Sequence, residues 1–315
     1  MDLFTMKVLY ILNESSFYMK MALFSISTLR KYNDSIPIEV LYICDNGRDN
    51  RLIGYLNYSE FNIESLDKIS FFKKCKKFNV KLIVVDDIDL HDENGYHPVQ
   101  RKEFVRIADD KILLLDADTF IFGDVSCMFD SLNNYDMVMD KNEWGHFGGK
   151  FPYHGEMISP FNSGVVLFNN GILQEYGRQV YDLSMKVKGN DHPVGNWLDK
   201  YQKYEGSKGK LGREEIAFTL FVYDNKINFR YSNPKEIQTS KCFCKTMIHH
   251  TQTQNYIKYW RKYFKSGVFK PHLNLKYKLF SQKGKYTRRS TINGLKNEKE
   301  KIKDVSRQDY SDEIS

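Results

Sequence analysis

The chain has 315 residues, 41% of them hydrophobic and 15% aromatic, which is enough apolar material for a packed core and excludes a wholly disordered protein. Its 47 Lys and Arg against 40 Asp and Glu give a formal net charge of +7. No apolar run approaches the roughly 18 residues that a membrane-spanning helix requires, so the sequence does not read as an integral helical membrane protein.

Lys7–Leu12 predicts a first strand, ending in Asn13-Glu14-Ser15-Ser16. The residues ahead of it lack a charged stretch followed by an apolar one, so the chain reads as cytoplasmic. From about Phe17 to Tyr32, Met21, Phe24, Ser25, Thr28 and Leu29 recur at helical spacing. Ile38–Ile43 is a second strand, closing in the turn residues Cys44-Asp45-Asn46-Gly47. Ser65 is placed to cap a helix through about Lys77. Val80–Val85 is a third strand. Pro98, near the first helical position, opens a helix running to about Ala108. Lys111–Leu115 is a fourth strand and ends in Asp116-Ala117-Asp118. Met137–Met139 and Val165–Phe168 predict two more strands, Ile172–Lys188 and Glu214–Tyr223 two helices. Thr246–His249 is a last short strand before a helix through Trp260. Asn190–Gly212 is polar and rich in Gly and Lys, and reads as a surface loop or lid.

Continuous apolar strands alternating with helices predict an α/β fold with a mostly parallel sheet covered on both faces. In such sheets ligands sit at the carboxyl ends of the strands. Three strands here end in Asn13, in Asp45, and in Asp116 with Asp118, which points to a site for a polar, metal-bearing ligand. The five cysteines (Cys44, Cys75, Cys127, Cys242, Cys244) show neither a disulfide framework nor paired zinc spacing, and read as reduced thiols.

Four segments carry chemistry. In Leu113-Leu114-Leu115-Asp116-Ala117-Asp118-Thr119, two carboxylates follow a buried strand and can converge on one hard divalent cation. In Phe161-Asn162-Ser163-Gly164-Val165, polar side chains and a glycine open a buried strand. In Gly212-Arg213-Glu214-Glu215-Ile216-Ala217-Phe218, acidic residues open a helix, a placement that the helix dipole itself favours. In Met247-Ile248-His249-His250, a strand ends in two imidazoles, a donor type that completes a carboxylate site for Mn²⁺.

In this order the segments resemble the family 8 glycosyltransferases, the group of glycogenin and the bacterial lipopolysaccharide galactosyl- and glucosyltransferases, over roughly Met6 to Trp260. The resemblance implies a GT-A fold for residues 1–265, followed by a basic, aromatic extension over 266–315. It implies a retaining hexosyltransferase that uses Mn²⁺ or Mg²⁺, a nucleotide-diphosphate sugar such as a UDP-sugar as donor, and a glycan, glycolipid or glycoprotein acceptor. Asp116 and Asp118 match the metal ligands and His249 the third ligand, with His250 the competing choice. Asn13 and Glu14 match the segment that holds the nucleotide. Asn162 and Ser163 match the sugar-facing turn. Glu214 and Glu215 stand where the family has Asp-Gln, so either can fill the catalytic carboxylate position. Lys102 and Arg106 are both candidates for the basic residue that meets the donor. Lys258 stands in for the late phosphate-binding lysine.

Two other classes compete. A haloacid-dehalogenase-type phosphatase also places Asp-x-Asp after an apolar strand, but it uses Thr or Val two positions after the second Asp, where this chain has Phe120. A non-catalytic carbohydrate- or nucleotide-binding scaffold would have no need of the two carboxylates and the nearby imidazole.

The charge is unevenly placed. Eleven Lys and Arg and no acidic residue fall between Tyr256 and Arg289, leaving 36 basic against 40 acidic residues elsewhere. Nine aromatics interleave with the eleven basic residues. That mixture suits an anionic membrane surface or single-stranded nucleic acid. Because related transferases act on lipid-linked acceptors, peripheral membrane contact is the favoured expectation, and nucleic acid is not expected as a partner of the whole chain.

Overall fold

The computed structural model describes residues 6–13, 15–44, 66–85, 100–108, 110–141, 150–188, 191–198, 213–239 and 246–251. In chain order these form β1 (Met6–Asn13), α1 (Ser16–Tyr32), β2 (Ile38–Ile43), α2 (Lys68–Lys77), β3 (Val80–Val85), β4 (Lys111–Leu115), β5 (Thr119–Ile121), β6 (Met137–Lys141), β7 (Phe151–Tyr153), β8 (Glu156–Ile158), β9 (Phe161–Phe168), α3 (Ile172–Lys188), α4 (Arg213–Asp224), β10 (Phe229–Tyr231), β11 (Ile237–Thr239) and β12 (Ile248–His250). Two 3₁₀ segments, Glu103–Arg106 and Ser126–Asn133, flank β4 and β5.

Seven strands make the central sheet in the order β10-β6-β9-β4-β1-β2-β3. The pairs β1–β2, β2–β3, β1–β4 and β6–β10 are parallel, and β9 runs antiparallel between β4 and β6. The expected mostly parallel, mixed sheet with flanking helices is what the chain forms. Alternation along each strand feeds two apolar layers. Val8, Tyr10 and Leu12 of β1 join Leu113 and Leu115 of β4 on the face covered by α1. Leu9, Ile11, Ile112 and Leu114 point to the other face, against Phe104 and against residues of α3 and α4. Burial on both faces is why these strands read as unbroken apolar runs. Among the described residues no helix is long and apolar enough to cross a membrane.

Some boundaries differ from expectation. α2 is capped by Asp67, whose carboxylate accepts the Ser70 N–H at 2.8 Å and hydroxyl at 2.7 Å, so the helix starts beyond Ser65. The segment expected as one helix to Ala108 is instead helical over 100–102 and tightens into the 3₁₀ turn that ends at Ile107. β9 begins at Phe161 rather than Val165, because Phe161 still pairs with Lys141 of β6 across an irregularity between Met139 and Lys141. A second, three-stranded sheet, β11-β12-β5, sits beside the carboxyl end of β4 and carries the turn and the histidines into one place.

Candidate active site

β4 ends at Leu115, and the chain turns through Asp116, Ala117 and Asp118 into β5. Backbone bonds fix this turn. The Asp116 N–H donates to the Gly164 carbonyl at 2.7 Å. The Asp116 carbonyl accepts the Thr119 hydroxyl at 2.9 Å. The Asp118 carbonyl accepts both the N–H of Thr251, at 3.0 Å, and its hydroxyl, at 2.9 Å.

β12 pairs antiparallel with β5, setting His250 opposite Thr119 and His249 opposite Phe120. Side chains alternate along a strand, so the two histidines face opposite ways. His250 Nε2 lies 3.3 Å from Asp118 Oδ1 and 3.5 Å from Asp116 Oδ2. His249 is buried with its ring stacked on Phe120, centroids 6.1 Å apart. The structure therefore gathers Asp116, Asp118 and His250, with one ligand atom from each within 4.8 Å of the others, and directs His249 elsewhere.

Gly164 makes room for this group. A Cβ there would lie 2.1 Å from His250 Cε1 and 2.6 Å from Asp116 Oδ2. Burial disfavours a charged His250, but Asp118 and Asp116 outweigh it and push its pKa up to about 10. A divalent ion would have to displace that proton, because an imidazole ligates only in its neutral form. Two carboxylate oxygens and an imidazole nitrogen also suit Mn²⁺ or Mg²⁺ by donor type. These residues fit such an ion.

The basic neighbour of the turn is Arg101, which sequence reasoning missed. Its side chain is 2% exposed, and its Nε donates to Glu214 Oε1 at 2.8 Å. The Tyr176 hydroxyl donates to the same oxygen at 3.4 Å. Burial opposes the charge on Arg101, but Glu214, Tyr176 and Asp116 together hold it charged. Its Nη1 has no hydrogen-bond partner among the described residues. Gly177 of α3 lets this segment approach, since a Cβ there would meet the Arg101 carbonyl at 2.7 Å. The two candidates from the sequence have other partners. Lys102 Nζ sits over the Tyr181 ring at 3.3 Å, and Arg106 is exposed in an ion pair with Glu103.

Replacing Arg101 by Met should leave the Glu214 carboxylate, 12% exposed, without its guanidinium. Removing one partner of a buried pair costs about 3 kcal/mol. The urea midpoint should fall accordingly, and a second change, Glu214→Gln, should recover part of the loss.

The remaining candidates are spread along the same edge. Asn162 is buried at the start of β9 and its Oδ1 accepts the Gly164 N–H at 2.9 Å, which shapes the turn beside Asp116. Ser163 is buried next to it. Asn13 ends β1, buried, with its Oδ1 accepting the Ser15 N–H at 3.3 Å. Glu215 sits in the first turn of α4, where its carbonyl accepts the Thr219 hydroxyl. Glu14, Asp45, Lys258 and the segments 256–289 and 266–315 lie outside the described residues.

No protein-family model matches the chain, and no curated protein is significantly similar to it in sequence. Among solved structures it is similar to mouse xyloside xylosyltransferase 1, at 14% identity and a TM-score of 0.46, over 78% of this chain and 97% of that one. It is similar to the galactosyltransferase LgtC at 12% identity and a TM-score of 0.47, over 78% and 86%. It is also similar to the glycosyltransferase GlyE of Streptococcus pneumoniae at 13% identity and a TM-score of 0.43, over 85% and 66%.

Proposed function

We propose that the chain is a metal-dependent, retaining glycosyltransferase that moves a hexose from a nucleotide-diphosphate sugar, with UDP as the carrier, to a glycan, glycolipid or glycoprotein acceptor. The observation that carries this reading is the Asp116–Asp118–His250 group at the carboxyl end of β4, with Gly164 leaving it room. A phosphatase of the haloacid-dehalogenase type would place its nucleophilic carboxylate on the first strand, whereas these carboxylates follow β4.

Asp116, Asp118 and His250 would hold Mn²⁺ or Mg²⁺, which when bound neutralises the charge that develops on the leaving diphosphate. Arg101 supplies fixed positive charge beside the turn, oriented by Glu214 and Tyr176. Glu214 is thus committed to holding a guanidinium, which leaves Glu215 as the carboxylate to test for contact with the sugar. Asn13 at the end of β1 is the candidate for holding the nucleotide, with Ser163 facing the sugar. No protein nucleophile is needed if the acceptor hydroxyl attacks from the face that the diphosphate leaves. The basic, aromatic segment 256–289 is the candidate for contact with anionic lipid.

Incubating the protein with Mn²⁺ and a panel of nucleotide sugars, and scoring release of the nucleoside diphosphate, tests the reading. Metal-dependent hydrolysis of one sugar nucleotide is the expected result. Binding of a sugar nucleotide without turnover, with or without added acceptors, would instead make the protein a binding scaffold.

A further inference from the structure

Two buried threonines contact the Asp-x-Asp turn, and each spends its hydroxyl on the backbone of one metal-binding candidate. Thr119 and Thr251 are both fully buried. Thr119 Oγ1 donates to the Asp116 carbonyl at 2.9 Å, and Thr251 Oγ1 donates to the Asp118 carbonyl, also at 2.9 Å. Buried hydroxyls need partners. Here the two partners are the carbonyls of the two aspartates themselves.

The bond to Asp116 is the end of a directed chain. A hydroxyl has one proton to give, and that of Thr119 goes to Asp116. Ser25 Oγ must therefore donate across the 2.7 Å contact to Thr119, and the Tyr10 hydroxyl must donate across the 2.8 Å contact to Ser25. α1 also grips β5 one step further on, where Thr28 Oγ1 accepts the Ile121 N–H at 3.1 Å. The turn is thereby tied on one side to α1 and β1, and on the other side, through Thr251, to the end of β12 that carries His250.

We infer that Thr119 and Thr251 are positioning residues: their hydroxyls hold the carbonyls of Asp116 and Asp118 so that the two carboxylates and His250 keep the spacing a divalent cation requires. The inference rests on the metal site proposed above. Valine would fill the same volume but would leave the Asp116 and Asp118 carbonyls without these donors, so the hydroxyls serve the turn rather than the packing. Coordination does call for them, because ligand atoms must be held to within about 0.5 Å. Partners that orient metal ligands typically matter about 10–100-fold in metal affinity.

The test uses the full chain with Mn²⁺ alone as probe, measured by titration calorimetry, with the metal-free melting midpoint followed by circular dichroism. Thr251→Val should weaken Mn²⁺ binding about tenfold or more, while Thr251→Ser, which keeps the hydroxyl, should retain wild-type affinity. Thr119→Val should weaken binding likewise. If Thr251→Val does not fold, Ser25→Ala, which breaks the chain from α1, carries the same expectation through Asp116. A folded Thr251→Val protein that binds Mn²⁺ as tightly as wild type would overturn the inference, as would equal losses in Thr251→Val and Thr251→Ser. Wild-type protein that binds no Mn²⁺ would remove the metal site itself, and the inference with it.

Discussion

In the proposed transferase, asparagine at both Asp116 and Asp118 is expected to abolish divalent-metal binding and to lower sugar transfer by about 10³ or more, since a Lewis acid at a diphosphate leaving group would supply several kcal/mol. Asparagine keeps the shape of the side chain and removes both negative charges, leaving His250 with two neutral amide oxygens that bind a divalent ion far more weakly. The fold should survive. What holds the turn is backbone and threonine hydroxyls: Asp116 N–H to Gly164, and the Asp118 carbonyl to Thr251. Neither bond uses a carboxylate. Of the single variants, Asp118→Asn should be the more damaging. The Asp118 side chain is 8% exposed against 37% for Asp116, and a charge removed from a less solvated position is the larger electrostatic loss. Calorimetry with Mn²⁺, nucleoside diphosphate release and circular dichroism on the same samples separate the loss of metal from a loss of fold. Metal-dependent turnover that persists in the double variant would reject the assignment.

β1, β2, β4 and β9 were legible because they are buried on both faces. The bounds of β2, β3 and β4, and of α3, are those that the apolar runs and the helical period predict. The three-residue strands β5, β7, β8, β10 and β11 were not read. A strand of three residues shows barely one period of alternation, so its signal cannot be told from a loop. β5 matters most, because its pairing with β12 decides which histidine meets the carboxylates. Shifting that register by one residue would exchange His249 for His250. The sequence shows both imidazoles, but the choice between them is a property of a pairing that it does not print.

Arg101 was missed for a different reason, and a signal did exist. If 98–108 is read as one regular helix, Lys102 and Arg106 share a face four residues apart. The buried residues are instead Gln100, Arg101, Phe104 and Ile107. Arg101, Phe104 and Ile107 fall at spacings of three on the apolar side, so Arg101 is the one basic residue of the segment on the face that turns inward. A charged residue on the apolar stripe of a short helix points to a buried ion pair, and Glu214 supplies the other half. Asn162, expected to face the sugar, has its side-chain Oδ1 engaged with the Gly164 N–H, a contact within the turn that residue type and spacing do not reveal.

Gly164→Ala is expected to be nearly as damaging to metal binding as loss of the carboxylates, with a smaller effect on the fold. The methyl carbon would sit 2.1 Å from His250 Cε1, 2.5 Å from His250 Nε2 and 2.6 Å from Asp116 Oδ2. None of these separations is possible, so atoms must move. β9 is held in place because it is paired on both edges, with β4 and with β6. The imidazole and the Asp116 carboxylate must therefore swing away, which dismantles two of the three ligands at once. Overpacking of this kind costs about 1–3 kcal/mol of stability, whereas losing only the partners that orient metal ligands already costs about 10–100-fold in affinity, and displacing the ligands themselves should cost at least as much. A double-mutant cycle distinguishes a clash with His250 from a general disturbance of β9. In a His250→Ala background the methyl group has lost its worst neighbour, so adding Gly164→Ala should change the melting midpoint far less than it does in the wild type. Additive effects on stability would mean that the damage lies in the strand rather than in the contact with His250. Gly171→Asn serves as the control, because nothing lies within 4 Å of a Cβ there and asparagine is among the residues least strained at its φ of +77°. That variant should melt slightly lower but bind Mn²⁺ as the wild type does, so the loss of metal binding belongs to the glycine beside the carboxylates.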